Sequence, residues 1–472
     1  MELSIIPKPV SIKYGEGVYQ FKDSPSIIKK DGVLDSAAAE EGYRLTISKE
    51  NIILEAASPA GMFNGEQTLR QLLLTPSQDK DGCAVLPCAQ IIDYPRFSWR
   101  GFMLDSSRYF YSTAFIKRLI DVLSLHHINR FHWHLTDDQG WRLPVAQYPL
   151  LTEIGSRRVN NRLQGQNYTG GFYTEDDIRE VVEYAAACHI EVIPEVDLPG
   201  HASAILASYP GLGCTGGPYR VEDRFGVFED VLCAGNDQIF DLVSSVFDVL
   251  ARLFPSKWVH IGGDEVLFNR WEECPKCQKR LAELGLEKTE KLQSWITYKL
   301  VQLLAQRGKI AIGWDEILDD SEKFKLPKEA VVMSWQGSKG GIRAVSLGHN
   351  AIMSPNADGC YLDYKHSDDP EEPGQYFGTS TVFKSYSMDP VTPEMNSEDS
   401  KLILGGQCNL WSELIHAGKI AEYMIFPRLC AIAETVWTPK ENKNFEDFSL
   451  RLKVHQKRLD ALGMNQYRGV LR

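Results

Sequence analysis

Residues 239–265 read IFDLVSSVFDVLARLFPSKWVHIGGDE, and the fold can be read outward from them. Ile239, Leu242, Val243, Val246, Phe247 and Leu250 recur at helical spacing, so one helix face is apolar and must be covered. Pro255 ends the helix, because it has no N–H to donate and its ring collides with the preceding turn. Lys257–Gly262 is then short and mostly apolar, the signature of a buried strand. Gly262 and Gly263 let the backbone turn sharply, and Asp264 and Glu265 come immediately after.

The unit repeats along the chain. Strands are predicted at Gly101–Asp105, Arg130–Leu135, Ile190–Val196, Lys257–Gly262, Lys309–Trp314, Ala330–Trp335, Asn350–Ser354 and Leu402–Trp411. Helices fall between or after them, at Phe115–Leu125, from Thr174 onward, from Leu292 to a stop at Gly308, and at Ile420–Thr435. The helix at Thr174 carries Asp177 three residues on, a variant of the capping box. Eight strands alternating with helices imply parallel pairing and a (β/α)8 TIM barrel. A doubly wound sheet is the alternative, but it would more often open with a nucleotide fingerprint. Gly211-Leu212-Gly213-Cys214-Thr215-Gly216 has that spacing, yet Pro210 and Pro218 bracket it, so no strand feeds it and an irregular loop is expected. Before residue 95 the pattern differs. Tyr43–Ile47 and Asn51–Ala56 read as a hairpin and Ala60–Leu74 as a helix, giving a small α+β domain. The expected division is 1–95 for that domain, 96–440 for the barrel and 441–472 for a helical extension packed on the barrel.

Composition narrows the function classes. The 472 residues carry 51 basic against 63 acidic side chains, a net charge of -12, with no basic run. Nucleic acid and anionic membrane are therefore poor partners. No apolar run is long enough to span a bilayer. The opening MELSIIPKPV has neither a basic nor an apolar leader segment, so the expected location is cytoplasmic if the chain is complete and secreted or periplasmic if a signal was trimmed. Ten cysteines are too few for a disulfide scaffold at this length. Cys274 and Cys277 form the one CxxC; zinc would need two more ligands and no second pair occurs after it, so surface or half-buried thiols are expected.

Active sites of such barrels lie where the strands end. At or just beyond the ends of the eight strands stand, in order, Asp105 and Arg108; His134, Asp137 and Asp138; Asp197 and His201; Asp264 and Glu265; Trp314, Asp315 and Glu316; Trp335; Tyr361 and Asp363; Trp411 and Glu413. Indoles pack against the C–H faces of sugar rings, carboxylates accept from hydroxyls, and an Arg donates as a fork. A glycosidase also needs an acid for the leaving oxygen.

The stretches from Arg100-Gly101 to Asp105-Ser106-Ser107-Arg108, Phe131 to Asp138, Pro199-Gly200-His201, His260 to Glu265, Gly313 to Glu316, Tyr361-Leu362-Asp363 and Leu410 to Glu413 resemble, in order, the β-N-acetylhexosaminidases of glycoside hydrolase family 20. The first 95 residues are similar to that family's small N-terminal domain. The resemblance implies a retaining glycosidase whose substrate supplies its own nucleophile, the 2-acetamido carbonyl oxygen, through an oxazolinium intermediate. It implies Glu265 as general acid and base and Asp264 as the group that orients the acetamide N–H. It implies that Tyr361 hydrogen-bonds the acetamide oxygen, and that Trp314, Trp335 and Trp411 wall the acetamide and the sugar. Arg108, Asp363 and Glu413 would hold the ring hydroxyls, and Asp137 and His201 would form a chain tuning the acid. A raised pKa suits that acid, and burial beside another carboxylate would provide it. No cofactor or metal is expected. The partner is a glycan or glycoconjugate with a terminal N-acetylhexosamine, and a homodimer is compatible with the pattern.

Three rivals stand beside this reading. His132 and His134 share a strand face, as in metal-dependent barrel hydrolases, with His201 and Asp264 as further ligands; packed histidines under the site are the plainer account. A non-catalytic glycan-binding protein would be expected to lack Glu265 or Asp264. A lacto-N-biosidase would use the same chemistry in a longer pocket to release a disaccharide.

Overall fold

The computed structural model describes residues 2–22, 25–32, 40–158, 170–318 and 323–472. Eight parallel strands close into a barrel: Trp99–Asp105, Arg130–His134, Glu191–Glu195, Trp258–His260, Ile310–Trp314, Val331–Ser334, Ala351–Met353 and Ile403–Leu410. Each pairs with its neighbours in sequence. The eighth returns to the first, with Gly405 to Leu410 aligned on Trp99 to Leu104. Closure leaves no sheet edge, which the doubly wound alternative would have kept.

The helices form for the reasons their sequences give. Thr174 accepts from the N–H of Asp177 at 3.1 Å, and the Asp177 carboxylate accepts from the N–H of Thr174 at 2.8 Å, so the capping box closes in both directions. The helix Gln238–Leu253 buries Ile239, Leu242, Val243, Val246, Phe247 and Leu250 against the barrel. Each such side chain contributes about 1.5–3 kcal/mol when fully covered. One expectation is corrected. Ile420–Thr435 is not one helix but two, Gly418–Ile425 and Arg428–Trp437, because Pro427 interrupts the hydrogen-bond ladder.

Register sets the barrel interior. Met103, Ile193, Ile312, Met333 and Ile352 fill part of it. Two residues beyond Met103 and Ile193, toward the C-terminal rim, Asp105 pairs with His134, His134 with Glu195 and Glu195 with His260, whose next partner is Ile312. Register partners share a face, so a buried polar row lies in the barrel interior against apolar side chains.

In the N-terminal domain the strands run Ser11–Phe21, Ala84–Asp93, Tyr43–Ile47, Ile52–Ala56 and Ile27–Asp31 across one sheet, with the helix Pro59–Leu74 packed against it. Asp93 is the seam with the barrel. It is fully buried and accepts from the N–H of Val10 at 3.1 Å and of Tyr94 at 3.0 Å, from Tyr43 Oη at 2.8 Å and from Trp437 Nε1 at 3.0 Å. Arg100 pairs with Glu41 at 2.5 Å and stacks over Trp437. The C-terminal helix Phe445–Ala461 packs on both units, since Arg451 pairs with Glu434 at 2.7 Å and donates to the carbonyl of Ile5 at 2.8 Å. Among the described residues no helix is long and apolar enough to cross a membrane.

Replacing Asp93 by Ala removes the shared acceptor of four donors, of which Tyr43 alone keeps another partner, Thr68 at 2.6 Å. The expected loss is about 2–4 kcal/mol of stability, measured by denaturant unfolding of the whole chain. A loss within experimental error would show that the seam does not depend on this carboxylate.

Candidate active site

The fourth strand stops at His260 because the next residues leave extended geometry. Gly262 and Gly263 have φ of 67° and 98°. A Cβ at Gly262 would lie 1.7 Å from Asp197 Oδ1, so glycine is required there by space as well as by conformation. Asp197 Oδ1 accepts from the N–H of Gly263 at 3.0 Å, and Gln293 donates to the Gly263 carbonyl at 2.7 Å. The turn aims Asp264 inward and leaves Glu265 at the opening, with side-chain exposures of 11% and 37%. Glu265 and His201 are both non-glycine residues in left-handed backbone, at φ of 53° and 46°. Such positions cost of order 1–3 kcal/mol and persist where the surroundings over-determine them.

Above the turn lies a cavity of ≈ 220 Å³ lined by Arg108, Asp264, Glu265, Trp335, Tyr361, Asp363, Tyr364, Gln375, Phe377, Trp411 and Glu413. Trp335 and Tyr361 stack with planes 13° apart, and Trp411 stands 6.2 Å from Tyr361, so aromatic rings form the wall. Arg108 is pinned from several sides. It lies 2.9 Å from Asp137 and 3.3 Å from Asp105, donates to Gln139 at 3.0 Å, and covers the face of Trp411. Three buried carboxylate oxygens in this pocket, Asp264 Oδ1, Asp363 Oδ1 and Glu413 Oε2, have no hydrogen-bond partner among the described residues. Burial holds the carboxyl groups of all three above their usual range, with Asp197 adding to it at Asp264 and Glu413 at Asp363.

A second tier supports the first. Glu195, fully buried, has His134 Nδ1 at 2.5 Å, His132 Nε2 at 2.9 Å, His260 Nδ1 at 2.9 Å and the donating Trp314 Nε1 at 3.0 Å. Burial raises a lone carboxyl, but the three imidazoles outweigh it and hold Glu195 well below the usual range. Burial also opposes a charge on His134, yet Glu195 and Asp137 overcome it and hold His134 well above the ordinary imidazole value. Asp137 bonds His134 at 2.9 Å and lies 3.1 Å from His201 Nδ1. His201 Nε2 lies 3.4 Å from Glu265. Burial opposes protonation of His201 too, and Asp137 again outweighs it.

The structure thus gathers the expected site residues at the C-terminal end of the barrel, in two tiers. Arg108, Asp264, Glu265, Trp335, Tyr361, Asp363, Trp411 and Glu413 reach the cavity. Asp137 and His201 stand behind it, in contact with each other at 3.1 Å and, through His201, with Glu265 at 3.4 Å. Trp314, expected in the wall, lies beneath the cavity instead of lining it: it is fully buried, tilted 59° against His260, and donates to Glu195. Desolvation falls on Asp264 rather than on Glu265, contrary to the expected burial of the acid. His132 and His134 turn to Glu195. No sequence signal marked Glu195, Gln139 or Gln293, and Asp105, Asp197, Asp315 and Glu316 stood at strand ends without a task. Asp315 accepts from the Trp335 N–H at 2.6 Å and Glu316 from Trp335 Nε1 at 3.0 Å, so together they set that indole. Burial pushes these two carboxyls up to about 6 and about 8.

Acceptors outnumber donors in this pocket, and the wall is aromatic: the ligand must bring its own hydroxyl or amide donors and a flat apolar face. That places the protein in the class of (β/α)8 glycoside hydrolases. Comparison narrows the class. Residues 97–440 match the catalytic domain of glycosyl hydrolase family 20, and residues 33–94 match domain 2 of the same family; the chain belongs to that family. A beta-hexosaminidase of Porphyromonas gingivalis is 42% identical over 91% of this chain, which spans 55% of that relative's length. The crystal structure of an exo beta-N-acetylglucosaminidase from Vibrio harveyi in complex with N-acetylglucosamine superposes with a TM-score of 0.87 at 30% identity, covering 99% of this chain and 80% of that one. A beta-N-acetylhexosaminidase from Streptomyces coelicolor superposes with a TM-score of 0.85 at 29% identity, covering 99% and 97%.

The Gly262 turn can be tested against a glycine of similar conformation. Gly308 has φ of 69° and open space where a Cβ would go. Both Gly→Ala changes carry the left-handed cost of about 1–2 kcal/mol. Gly262→Ala adds a collision worth roughly 1–3 kcal/mol more. Equal unfolding midpoints for the two variants would refute the steric account of the turn.

Proposed function

We propose that this chain is an exo-acting, retaining glycosidase that removes terminal β-linked N-acetylglucosamine or N-acetylgalactosamine from glycans and glycoconjugates. The observation that carries the reading is the set of unpartnered oxygens on Asp264, Asp363 and Glu413, facing one aromatic-walled cavity. Buried acceptors are rarely left unsatisfied, and a sugar with an amide N–H and ring hydroxyls supplies the missing donors. Family membership and the N-acetylglucosamine held by the Vibrio harveyi relative support the same substrate class. The volume of ≈ 220 Å³ lies below the ~300–1,000 Å³ usual for drug-sized ligands and favours one sugar over the disaccharide of a lacto-N-biosidase.

The two carboxyls then have separate tasks. Glu265, at the opening, donates its proton to the glycosidic oxygen as the C1–O bond breaks. The 2-acetamido carbonyl oxygen attacks C1 from the opposite face and closes an oxazolinium ring. Asp264, at depth, accepts from the acetamide N–H and offsets the positive charge that develops there. Tyr361 donates to the acetamide oxygen, while Trp335 and Trp411 enclose the group. A seated sugar covers Glu265 and so supplies the desolvation that the open pocket lacks. The resulting Glu265 carboxylate faces His201, which Asp137 holds protonated. In the second step Glu265 takes a proton from water as that water attacks C1 and reopens the ring. Two inversions give retention.

Glu265→Gln should cut turnover by about 10²–10⁴-fold, least in the first step for substrates with good leaving groups. Asp264→Asn keeps the shape but not the charge, and by analogy with oxyanion donors should cost around 10²–10³-fold. Stopped-flow and steady-state rates on a series of aryl N-acetylglucosaminides separate the two; uniform slowing across leaving groups in the Gln variant would refute the acid assignment.

The nucleophile is tested separately. Glucosides without the acetamido group should be almost inert, and a thiazoline mimic of the ring should inhibit competitively and far more tightly than substrate binds. Intact-protein mass spectrometry after incubation with a 2-fluoro glycoside should show no adduct; a stoichiometric glycosyl ester on Asp or Glu would overturn substrate assistance.

A further inference from the structure

Four of the ten cysteines meet outside the cavity that holds Asp264 and Glu265. Cys214 lies in the irregular loop after Pro210, and Cys233 comes directly after the bridge that joins Gly213 to Leu232. Cys274 caps the helix Pro275–Glu283, and Cys277 lies in its first turn. The Sγ atoms of Cys214 and Cys277 are 3.7 Å apart, those of Cys233 and Cys277 3.5 Å, and those of Cys233 and Cys274 3.8 Å; all four lie within 4.8 Å of one another. The sequence expectation of surface or half-buried thiols is thereby corrected for the CxxC pair, since Cys274 and Cys277 are both buried. The two further ligands that seemed missing come from loop segments with no CxxC of their own.

We propose that Cys214, Cys233, Cys274 and Cys277 bind one zinc ion as a closed tetrathiolate site. A tetrahedron with Zn–S of about 2.3 Å has edges of about 3.8 Å, and the three measured edges fall at or just under that. A disulfide would need about 2.05 Å. The backbone is also built for the site. Gly235 passes so close to the helix start that a Cβ would lie 2.2 Å from the carbonyl carbon of Lys276 and 2.6 Å from the nitrogen of Cys277. On binding, each thiol releases its proton as its Zn–S bond forms, and no electron changes hands. With four protein ligands no position is left for water or substrate, so the ion is structural rather than catalytic.

The site has something to hold. From Tyr209 to Asp237 the chain runs without a regular element beyond one short turn, a length of loop that is uncommon without a function or a staple. This loop backs the active site. The N–H of Glu222 donates to the carbonyl of Asp138 at 3.0 Å, and Gln139, which holds Arg108, donates to the carbonyl of Arg224 at 2.8 Å. Zinc would fasten the loop to the segment beyond Glu265. The inference does not rest on the glycosidase reading.

The test is metal analysis of the full chain, purified without added metal. Plasma mass spectrometry should find about one zinc per chain, released stoichiometrically by a mercurial thiol reagent in the presence of a zinc dye. Cys233→Ser should reduce zinc to below about 0.2 per chain, and the control Cys83→Ser should retain it. Should Cys233→Ser not fold, Cys214→Ser, on the outer loop, gives the same readout in a folded chain. Zinc removal should also open the segment 209–237 to limited proteolysis while the barrel stays resistant. Metal-free protein with four reactive thiols, disulfides among these cysteines in the peptide map, or stoichiometric iron in place of zinc would each overturn the proposal.

Discussion

Glu195 is a carboxylate at the axis of a barrel with no access to water, and the site above it stands because three imidazoles and an indole surround it. An isolated buried charge of this kind is prohibitively costly, and a paired one is tolerated only when its remaining lone pairs are satisfied. The compensation propagates upward. Protonated His134 links Glu195 to Asp137, Asp137 holds Arg108 and His201, and His201 reaches Glu265. Signs alternate along this path from the barrel axis to the rim. The pocket above it carries Asp264, Asp363 and Glu413, whose carboxyls burial holds above their usual range.

Much of the fold was legible because barrel units are local. Apolar period, Pro255, the Thr174–Asp177 cap and the stop at Gly308 are read over a few residues, and all eight strands lie where the pattern put them. The errors have local causes too. The strand expected over Lys257–Gly262 stops at His260 because Gly262 already turns left-handed, and the helix expected over Ile420–Thr435 breaks at Pro427, which has no N–H.

The site divides differently. Its rim was legible because polar residues at strand ends stand out against apolar strands, and because the motif set resembles a known family. The tier beneath was not. Glu195 sits in the strand Glu191–Glu195, where nothing in the sequence distinguishes it from Glu191, which shares its face but is only half-buried at the strand's other end. Its role exists only through register with His134 and His260, which no single segment contains. Trp314 looked like a wall because it ends a strand; the floor position depends on which way that strand is rolled. The four-cysteine cluster failed for the same reason: only one of its three segments carries a spacing that sequence can recognise.

The closed barrel and its packed interior make the pocket blind, and that has a kinetic consequence. A polymer cannot thread through such a site. After each cleavage the shortened glycan must withdraw and present its new terminus, so the proposed activity is distributive rather than processive. Its rate on a glycan mixture tracks the number of non-reducing ends, not the mass of material, and a branched glycan is consumed faster than a linear one of equal weight.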